Sequence, residues 1–282
     1  MLSVDPSIPK PFLKWAGGKG QLLGELCPRA GRSQFSGRYH EPFIGGGALF
    51  FGMYRNGEFE QREALLSDSN PNLVATYLGV RDDVEGVIAL LREHKAAHGE
   101  EHYYAVRAEA PEDPAAAAAR VIYLNRTCFN GLYRENSKGQ FNVPMGRYKD
   151  PRICDAENLR AVAKALAKAK LEQRHFETVL ECAEPGDFVY FDPPYHPLSE
   201  TSSFTSYAKE GFGEADQRQL AGVFRELDRR GVFVMLSNSM TPFVRELYEG
   251  FPCAEVYASR AVNSKAGGRG KIAEALITNF TE

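Results

Sequence analysis

The chain has 282 residues, 43% hydrophobic and 25% charged. That composition supports a sizeable core and excludes a disordered or fibrous chain. Its 34 basic and 37 acidic side chains leave a formal charge of −3, which excludes indiscriminate coating of nucleic acid and confines any such site to a local basic patch. Five scattered cysteines without a Cys-x-x-Cys pair exclude a zinc knuckle and point to reduced thiols in the cytoplasm. Met1 to Pro11 holds three prolines and no apolar core, so a signal peptide is not expected, and no apolar run has the length of a membrane helix.

In chain order, Met1 to Pro11 reads as a loose lead-in. Phe12-Leu13-Lys14-Trp15-Ala16-Gly17-Gly18-Lys19-Gly20 follows, then a short helical pattern through Leu22, Leu23 and Leu26 that Pro28 closes. Tyr39 to Ile44 predicts a strand end opening into Gly45-Gly46-Gly47, then a helix over Ala48 to Tyr54. A second strand, Ala64 to Ser67, ends at Asp68. Strand, glycine turn, helix, strand and acid in that order mark the nucleotide-binding half of an α/β sheet.

From Asn70 the pattern turns helical, over Leu73 to Val80, Val84 to Lys95, His102 to Ala108 and Pro114 to Asn125, and Ala115 to Ala119 is a helix-forming run. Two mixed runs, Arg126 to Arg134 and Gln140 to Tyr148, flank a polar turn at Asn136 to Gly139 and predict a hairpin. Alternation resumes with a helix over Asp155 to Lys168, a strand near Lys170 to Gln173, a helical stretch around Val179 and the strand Phe188-Val189-Tyr190-Phe191. A helix over Gly213 to Arg230, a strand over Val232 to Ser237, a helix over Pro242 to Tyr248 and strands near Ala254 to Tyr257 and Ala275 to Thr278 complete the chain. The expectation is a mostly parallel sheet interrupted by a helical insertion with a hairpin, over roughly Asn70 to Asp155.

The most telling stretch is Phe188 to Tyr195. A buried strand ends in a carboxylate, Asp192, then two rigid prolines, then an aromatic ring. Proline stiffens its own and the preceding backbone, and the carbonyls of Pro193 and Pro194 have no helix to join. This set suits methylation of an exocyclic amine: Asp192 and the Pro193 carbonyl would accept the two amine protons, and Tyr195 would stack on the base. The bland alternative is a strand-ending Asp-Pro turn.

Gly45 to Gly47 let the backbone approach a ligand, without the dinucleotide Gly-x-Gly-x-x-Gly or a phosphate-loop Gly-Lys-Ser/Thr, and Asp68 stands where a ribose hydroxyl is gripped. Trp15, between Lys14 and Lys19, reads as a pocket wall with cationic neighbours for a carboxylate. Arg126, Phe129, Tyr133, Arg134, Lys138, Phe141, Arg147 and Tyr148 interleave basic and aromatic groups, as a surface reading duplex DNA does, though a solvated hairpin has the same composition. His94, His98 and His102 at spacing four read as a solvated helix face rather than a metal site, and Lys265, Arg269 and Lys271 as a basic loop for phosphates or simply an exposed one.

Together, Phe-Leu-Lys-Trp-Ala-Gly-Gly-Lys, Glu-Pro-Phe-x-Gly-x-Gly, the strand-closing Asp, Tyr-Leu-Asn-Arg-x-x-x-Asn-Gly-Leu-x-Arg, Phe-Asn-Val-Pro-x-Gly-Arg-Tyr, Asp-Pro-Pro-Tyr and Phe204-Thr205-x-Tyr207 resemble the Dam-type (D12 class) DNA adenine-N6 methyltransferases, from Pro11 to about Leu276. The resemblance implies a Rossmann-like S-adenosylmethionine-dependent methyltransferase sheet over 1–69 and 156–282, with an inserted helical target-recognition domain carrying a β-hairpin over 70–155. It implies S-adenosylmethionine held by Trp15, Lys19, Phe43, Gly45, Asp68, Phe176 and Asp192, and adenine held by Asp192, Pro193 and Tyr195. It also implies duplex DNA contacts at Lys14 (first guanine of GATC), Phe129 and Asn130 (the gap left by base flipping), Leu132, Arg134 and Pro144 (the far half-site) and Tyr148. Phe129 stands where well-known members have tyrosine, so stacking survives and a hydroxyl contact is lost. No metal or membrane is implied, and a restriction endonuclease sharing the site is a possible partner. A methyltransferase of cytosine N4 or another amine is disfavoured by Asp, rather than Asn or Ser, before Pro-Pro-Tyr. A DNA-binding protein without catalysis is disfavoured by the intact motifs.

Overall fold

The computed structural model describes residues 8–32, 35–198, 212–259 and 271–281. Strands β1 (Tyr39–Glu41), β2 (Ala64–Asp68), β3 (Ala169–Gln173), β4 (Phe188–Phe191), β5 (Phe233–Ser239), β6 (Cys253–Ser259) and β7 (Lys271–Thr278) form one sheet in the order β3-β2-β1-β4-β5-β7-β6. β1 runs parallel to β2 and β4, and β4 to β5, while β7 lies antiparallel between β5 and β6. The order reverses between β1 and β4, the switch point of a Rossmann-like α/β sheet, where ligands bind at the strands' carboxyl ends.

Helices α1 (Leu23–Ala30), α2 (Ala48–Arg55), α3 (Pro71–Asp82), α4 (Val84–Ala96), α5 (Glu100–Ala108), α6 (Pro114–Thr127), α7 (Ala156–Leu166), α8 (Val179–Cys182), α9 (Glu214–Arg229) and α10 (Pro242–Leu247) follow in chain order. Three of them begin with the same device. Asn70, Asp113 and Thr241 cap the helix by accepting from the backbone N–H three residues on, and proline fills the first helical position, where no donor is needed.

The chain forms two compact units: Met1–Gly18, Gly45–Gly57 and Asp68–Gln173 in one, Lys19–Ile44, Glu58–Ser67 and Arg174–Glu282 in the other. In the second, β4 is buried along its whole length. Val189 and Phe191 join Leu220, Phe224 and Leu227 of α9 in one cluster, whereas Phe188 stacks on Phe35 at 4.6 Å. Alternate residues of a strand face opposite ways, so cover on both faces explains the uninterrupted apolar run. The spacing of Leu220, Phe224 and Leu227 is that of one helix face.

Just before β4, buried Asp187 accepts from the backbone N–H groups of Arg38 (2.7 Å) and Glu184 (3.0 Å) and meets His40 Nε2 at 2.8 Å. Burial opposes its charge, but these hydrogen bonds, His40's foremost, together hold the carboxyl below its usual range.

In the first unit, α6 packs against α3, α4 and α5. The alanine run does more than favour helix: a Cβ at Gly79 of α3 would stand 2.7 Å from Ala118 Cβ, so small residues on both helices set their close approach.

Four expectations change. Pro28 lies inside α1 rather than closing it, and the helix ends where Gly31 N–H bonds to the Cys27 carbonyl at 2.9 Å. Lys10 is not loose, because Asn158 bonds its N–H at 2.9 Å and its carbonyl at 3.1 Å. The hairpin closes through two isolated bridges, Cys128 with Met145 and Glu135 with Phe141, not a regular ladder. A short 3-10 turn at Phe129–Gly131 and bonds such as Phe129 N–H to Pro144 carbonyl (2.8 Å) take the backbone groups instead. His94, His98 and His102 are not one helix face, since α4 stops at Ala96 and α5 starts at Glu100. They gather on Tyr123: His94 stacks on its ring at 4.9 Å, His98 Nδ1 lies 3.0 Å from its hydroxyl, and His94 Nδ1 lies 3.0 Å from His102 Nε2. Phe204 to Tyr207 and most of the basic loop, with Lys265 and Arg269, lie outside the described residues.

Candidate active site

The predicted residues fall into three groups, each built within one compact unit. The first is the turn after β4. Asp192 follows the last strand residue, and Lys19, itself buried, reaches it with Nζ 2.9 Å from Oδ1. The same ammonium lies 4.5 Å from the centroid of the Tyr195 ring, so one cation touches both a carboxylate and an aromatic face. Burial raises the Asp192 carboxyl above its usual range, Lys19 opposes that, and Glu274 adds to it. Burial likewise raises the Tyr195 phenol, with Asp192 adding to it, so the ring stays neutral.

The turn is held from behind by residues that no sequence motif singles out. Gln217 of α9 donates to the Pro194 carbonyl at 2.8 Å, and Asn238 of β5 donates to the Gln217 oxygen at 3.0 Å while accepting from His196 N–H at 3.1 Å. The Pro194 carbonyl is therefore taken by Gln217 rather than offered to a ligand. No described residue donates to the Pro193 carbonyl. Tyr195 donates to Glu274 at 2.7 Å. Its hydroxyl is anchored, and only the ring is offered for stacking. Phe43 stacks on Phe176 at 5.4 Å and meets Phe191 edge-on at 6.2 Å, an apolar wall in the same unit.

The second group is the glycine turn. Gly45 adopts φ +47, and a Cβ there would stand 2.9 Å from Trp15 Cδ1. Only glycine fits both the backbone and the ring. Asp68 accepts from Gly45 N–H at 3.2 Å and Asn70 N–H at 3.0 Å, and Tyr77 donates to the Gly45 carbonyl at 3.0 Å. Burial raises the Asp68 carboxyl, with the backbone donors opposing. Trp15 leans on Tyr133 at 5.1 Å. Trp15 thus walls the glycine turn, while Lys19 is engaged with Asp192.

This donor set fits an adenosyl ligand: a bare backbone beside an indole for a flat base, and a carboxylate answered only by amides for sugar hydroxyls.

The third group is the hairpin surface. Phe129 is 50% exposed, and Asn130, Leu132, Arg134, Pro144 and Tyr148 are exposed with it. Asn130 holds φ +55, the one non-glycine residue at positive φ among those described, a conformation that asparagine adopts more readily than other non-glycine residues. Lys14 crosses the base of this surface: its N–H bonds to Asn125 at 2.7 Å, and Nζ lies 4.4 Å from the Tyr148 ring centroid. Gly131, at φ +64, would place a Cβ 2.4 Å from Lys14 Cδ. Arg134 donates to the Asn142 side chain at 2.7 Å, which aims the guanidinium.

A mostly parallel sheet that reverses at its switch point, with carboxylates at the ends of β2 and β4, defines a Rossmann-like α/β protein of the kind that binds ligands at its strand ends. The D12 class N6 adenine-specific DNA methyltransferase family matches residues 15–262, and the chain belongs to that family. It is 44% identical to "Type II methyltransferase M1.LlaDCHI" of Lactococcus lactis subsp. cremoris, over 96% of this chain and 95% of the relative. It is also 44% identical to "Type II methyltransferase M.MjaIII" of Methanocaldococcus jannaschii, over 96% and 99%. "DNA adenine methylase" of Escherichia coli K12 is 34% identical over 95% and 94%. The chain is an adenine-specific DNA methyltransferase, and its family and fold imply a methyl donor of the S-adenosylmethionine type. Among the described residues, no helix is long and apolar enough to cross a membrane.

Proposed function

We propose that this enzyme methylates adenine N6 within GATC in duplex DNA, after turning the base out of the helix, with S-adenosylmethionine as donor. The observation that carries the reading is the Lys19 ammonium, lying at once on Asp192 and over Tyr195. The exocyclic amine of a base stacked on Tyr195 would take that place, a nitrogen donor against the carboxylate beside a ring held flat by its anchored hydroxyl.

S-adenosylmethionine supplies, when bound, a methyl group on a sulfonium. Trp15, Gly45 and Asp68 would hold its adenosine, Phe43 and Phe176 would wall it, and Lys19, once displaced from Asp192, would serve its carboxylate. Asp192 and the Pro193 carbonyl accept the two N6–H groups and turn the nitrogen lone pair out of the ring plane. Positive charge then develops on N6 against a carboxylate already in place, and N6 loses its proton afterwards, so no strong base is needed.

Lifting the base costs a few kcal/mol of stacking. Phe129, half exposed beside the positive-φ Asn130, would fill the gap and offset part of that. Lys14, Leu132, Arg134 and Pro144 would read the flanking base pairs, and Tyr148 supports Lys14. In this proposal residues 70–155 form the target-recognition domain and the rest the catalytic domain. The proposed setting is the cytoplasm, alone or beside a restriction endonuclease sharing the site.

Incubating the purified enzyme and S-adenosylmethionine with unmethylated plasmid, then mapping N6-methyladenine at single-base resolution, tests this. Marks confined to GATC are the expected result. Marks in another context would overturn the hairpin assignments and keep the chemistry, whereas no marks with cofactor bound would overturn the acceptor.

A further inference from the structure

Glu274 lies on β7, far along the chain from Asp192 to Tyr195, yet its carboxylate reaches the turn after β4. Its Oε2 accepts the Tyr195 hydroxyl at 2.7 Å. Its backbone is fixed on both sides, paired with Ser239 of β5 and Val256 of β6. Tyr195, by contrast, sits in a loop after two prolines. A ring meant to carry a base must not rotate or slide, and stacking supplies no anchor of its own. A hydroxyl tied to a carboxylate inside a sheet does.

A second carboxylate beside Asp192 is also costly in a site with little water, because it disfavours the ionised form of its neighbour. Among the described residues, Lys19 is the cation paired with Asp192. That cost is tolerable only if the placement of the ring matters.

We propose that Glu274 is a positioning residue for methyl transfer, fixing the Tyr195 ring through its hydroxyl so that a base stacked there presents its amine to Asp192. This rests on the amine-methylation reading above. Glu274 touches neither substrate nor cofactor and acts through Tyr195.

Among the described residues, the titratable groups facing Asp192 are Lys19 from the segment before α1, Tyr195 from its own turn, Tyr190 from β4 and Glu274 from β7. Removing the charge at Glu274 therefore makes Asp192 easier to ionise, a change that a purely structural contact would not produce.

The test uses the full chain as wild type, Glu274→Ala, Glu274→Gln, Tyr195→Phe and the Ala/Phe double variant, on duplex DNA carrying the site the wild type methylates. Glu274→Ala is expected to lower kcat about ten- to a hundredfold, the range for losing one charge-assisted hydrogen bond, with the KM for DNA little changed. The double variant falls no further than the worse single one. Glu274→Gln keeps an acceptor for the hydroxyl, recovers most of kcat, and moves the acid limb of the rate profile to lower pH. It also carries the test if Glu274→Ala does not fold.

Wild-type kcat in Glu274→Ala, additive losses in the double variant, or an unmoved acid limb in Glu274→Gln would each overturn the proposal. A wild type that methylates no DNA would instead overturn the reading beneath it. The coupling of Tyr195 and Glu274 in urea unfolding then decides the contact: coupling supports the anchored ring, and its absence removes it.

Discussion

Replacing Asp192 with Asn isolates the charge from the shape of the site, since the amide keeps an acceptor oxygen where the carboxylate had one. The magnitude can be worked from the Lys19 contact, which measures how close a positive nitrogen comes to Asp192: 2.9 Å. With an effective dielectric of about 20, a unit charge at that distance gains about 6 kcal/mol. In the transition state N6 carries only part of that charge. Half of it gives about 3 kcal/mol, a rate loss of about a hundredfold, and the whole gives about ten-thousandfold. Transfer is expected to fall between these limits. The assay is single-turnover transfer of labelled methyl with DNA and donor both saturating, beside an independent measurement of DNA affinity, which should not change. A variant of wild-type fold that transfers methyl within tenfold of the wild-type rate would refute the electrostatic role of Asp192.

The pH profile follows from the same group. Burial raises the Asp192 carboxyl and transfer requires its ionised form, so the saturated rate is lost, as pH falls, at a pH above the ordinary carboxylate range. Lys19→Gln removes the cation that favours ionisation of Asp192 before substrate binds and should move the acid limb of kcat/KM for DNA to higher pH; an unmoved limb would refute the pairing. Asp187→Ala breaks a buried group bonded to His40 and two backbone N–H groups, at a cost of about 3–5 kcal/mol in urea unfolding at neutral pH. Because Asp187's folded pKa lies below its unfolded value, its stabilisation is present above the unfolded pKa and lost as pH falls through the folded one. The variant's deficit should therefore shrink in acid, and a constant deficit would refute that account. Arg134→Ala frees the position aimed by Asn142 and should cost about 1–3 kcal/mol of discrimination at one outer base pair, read from methylation rates on single-base variants of the site.

What the sequence reveals and what it hides divide along the range of the interaction. β4 is legible because cover on both faces writes itself as Phe188-Val189-Tyr190-Phe191. The glycine turn is legible because Gly45 must clear Trp15, a demand that only one residue type meets. Asp192 to Tyr195 is legible because proline, carboxylate and ring are adjacent. Glu274 is not, being 79 residues from the hydroxyl it accepts, and neither is Gln217, 23 residues from the Pro194 carbonyl it takes. Such contacts are set by strand order, which no local pattern encodes. Three histidines at spacing four gave the same false simplicity. The break at Ala97 to Gly99 turns a supposed helix face into a cluster closed around Tyr123.

Asp68 and Asp192 look alike by position, each at the carboxyl end of a parallel strand, and burial raises both carboxyls. They differ in what opposes that rise. Backbone amides do so at Asp68, where no described residue forms an ion pair, whereas Lys19 does so at Asp192. A carboxylate held by neutral donors is matched to further neutral donors, such as ribose hydroxyls, whose charge does not change during reaction. One held by an ammonium is matched to a positive charge that appears and leaves. Asp68→Asn should therefore weaken donor binding, by about 1.5–3 kcal/mol for one hydrogen bond to a charged group, while leaving the rate at saturating donor near wild type. Asp192→Asn should lower that rate instead. Equilibrium dialysis with the donor and single-turnover kinetics on both variants separate the two effects. A lowered saturated rate in Asp68→Asn would mean that both acids serve the reacting nitrogen and that the division by counter-charge is mistaken.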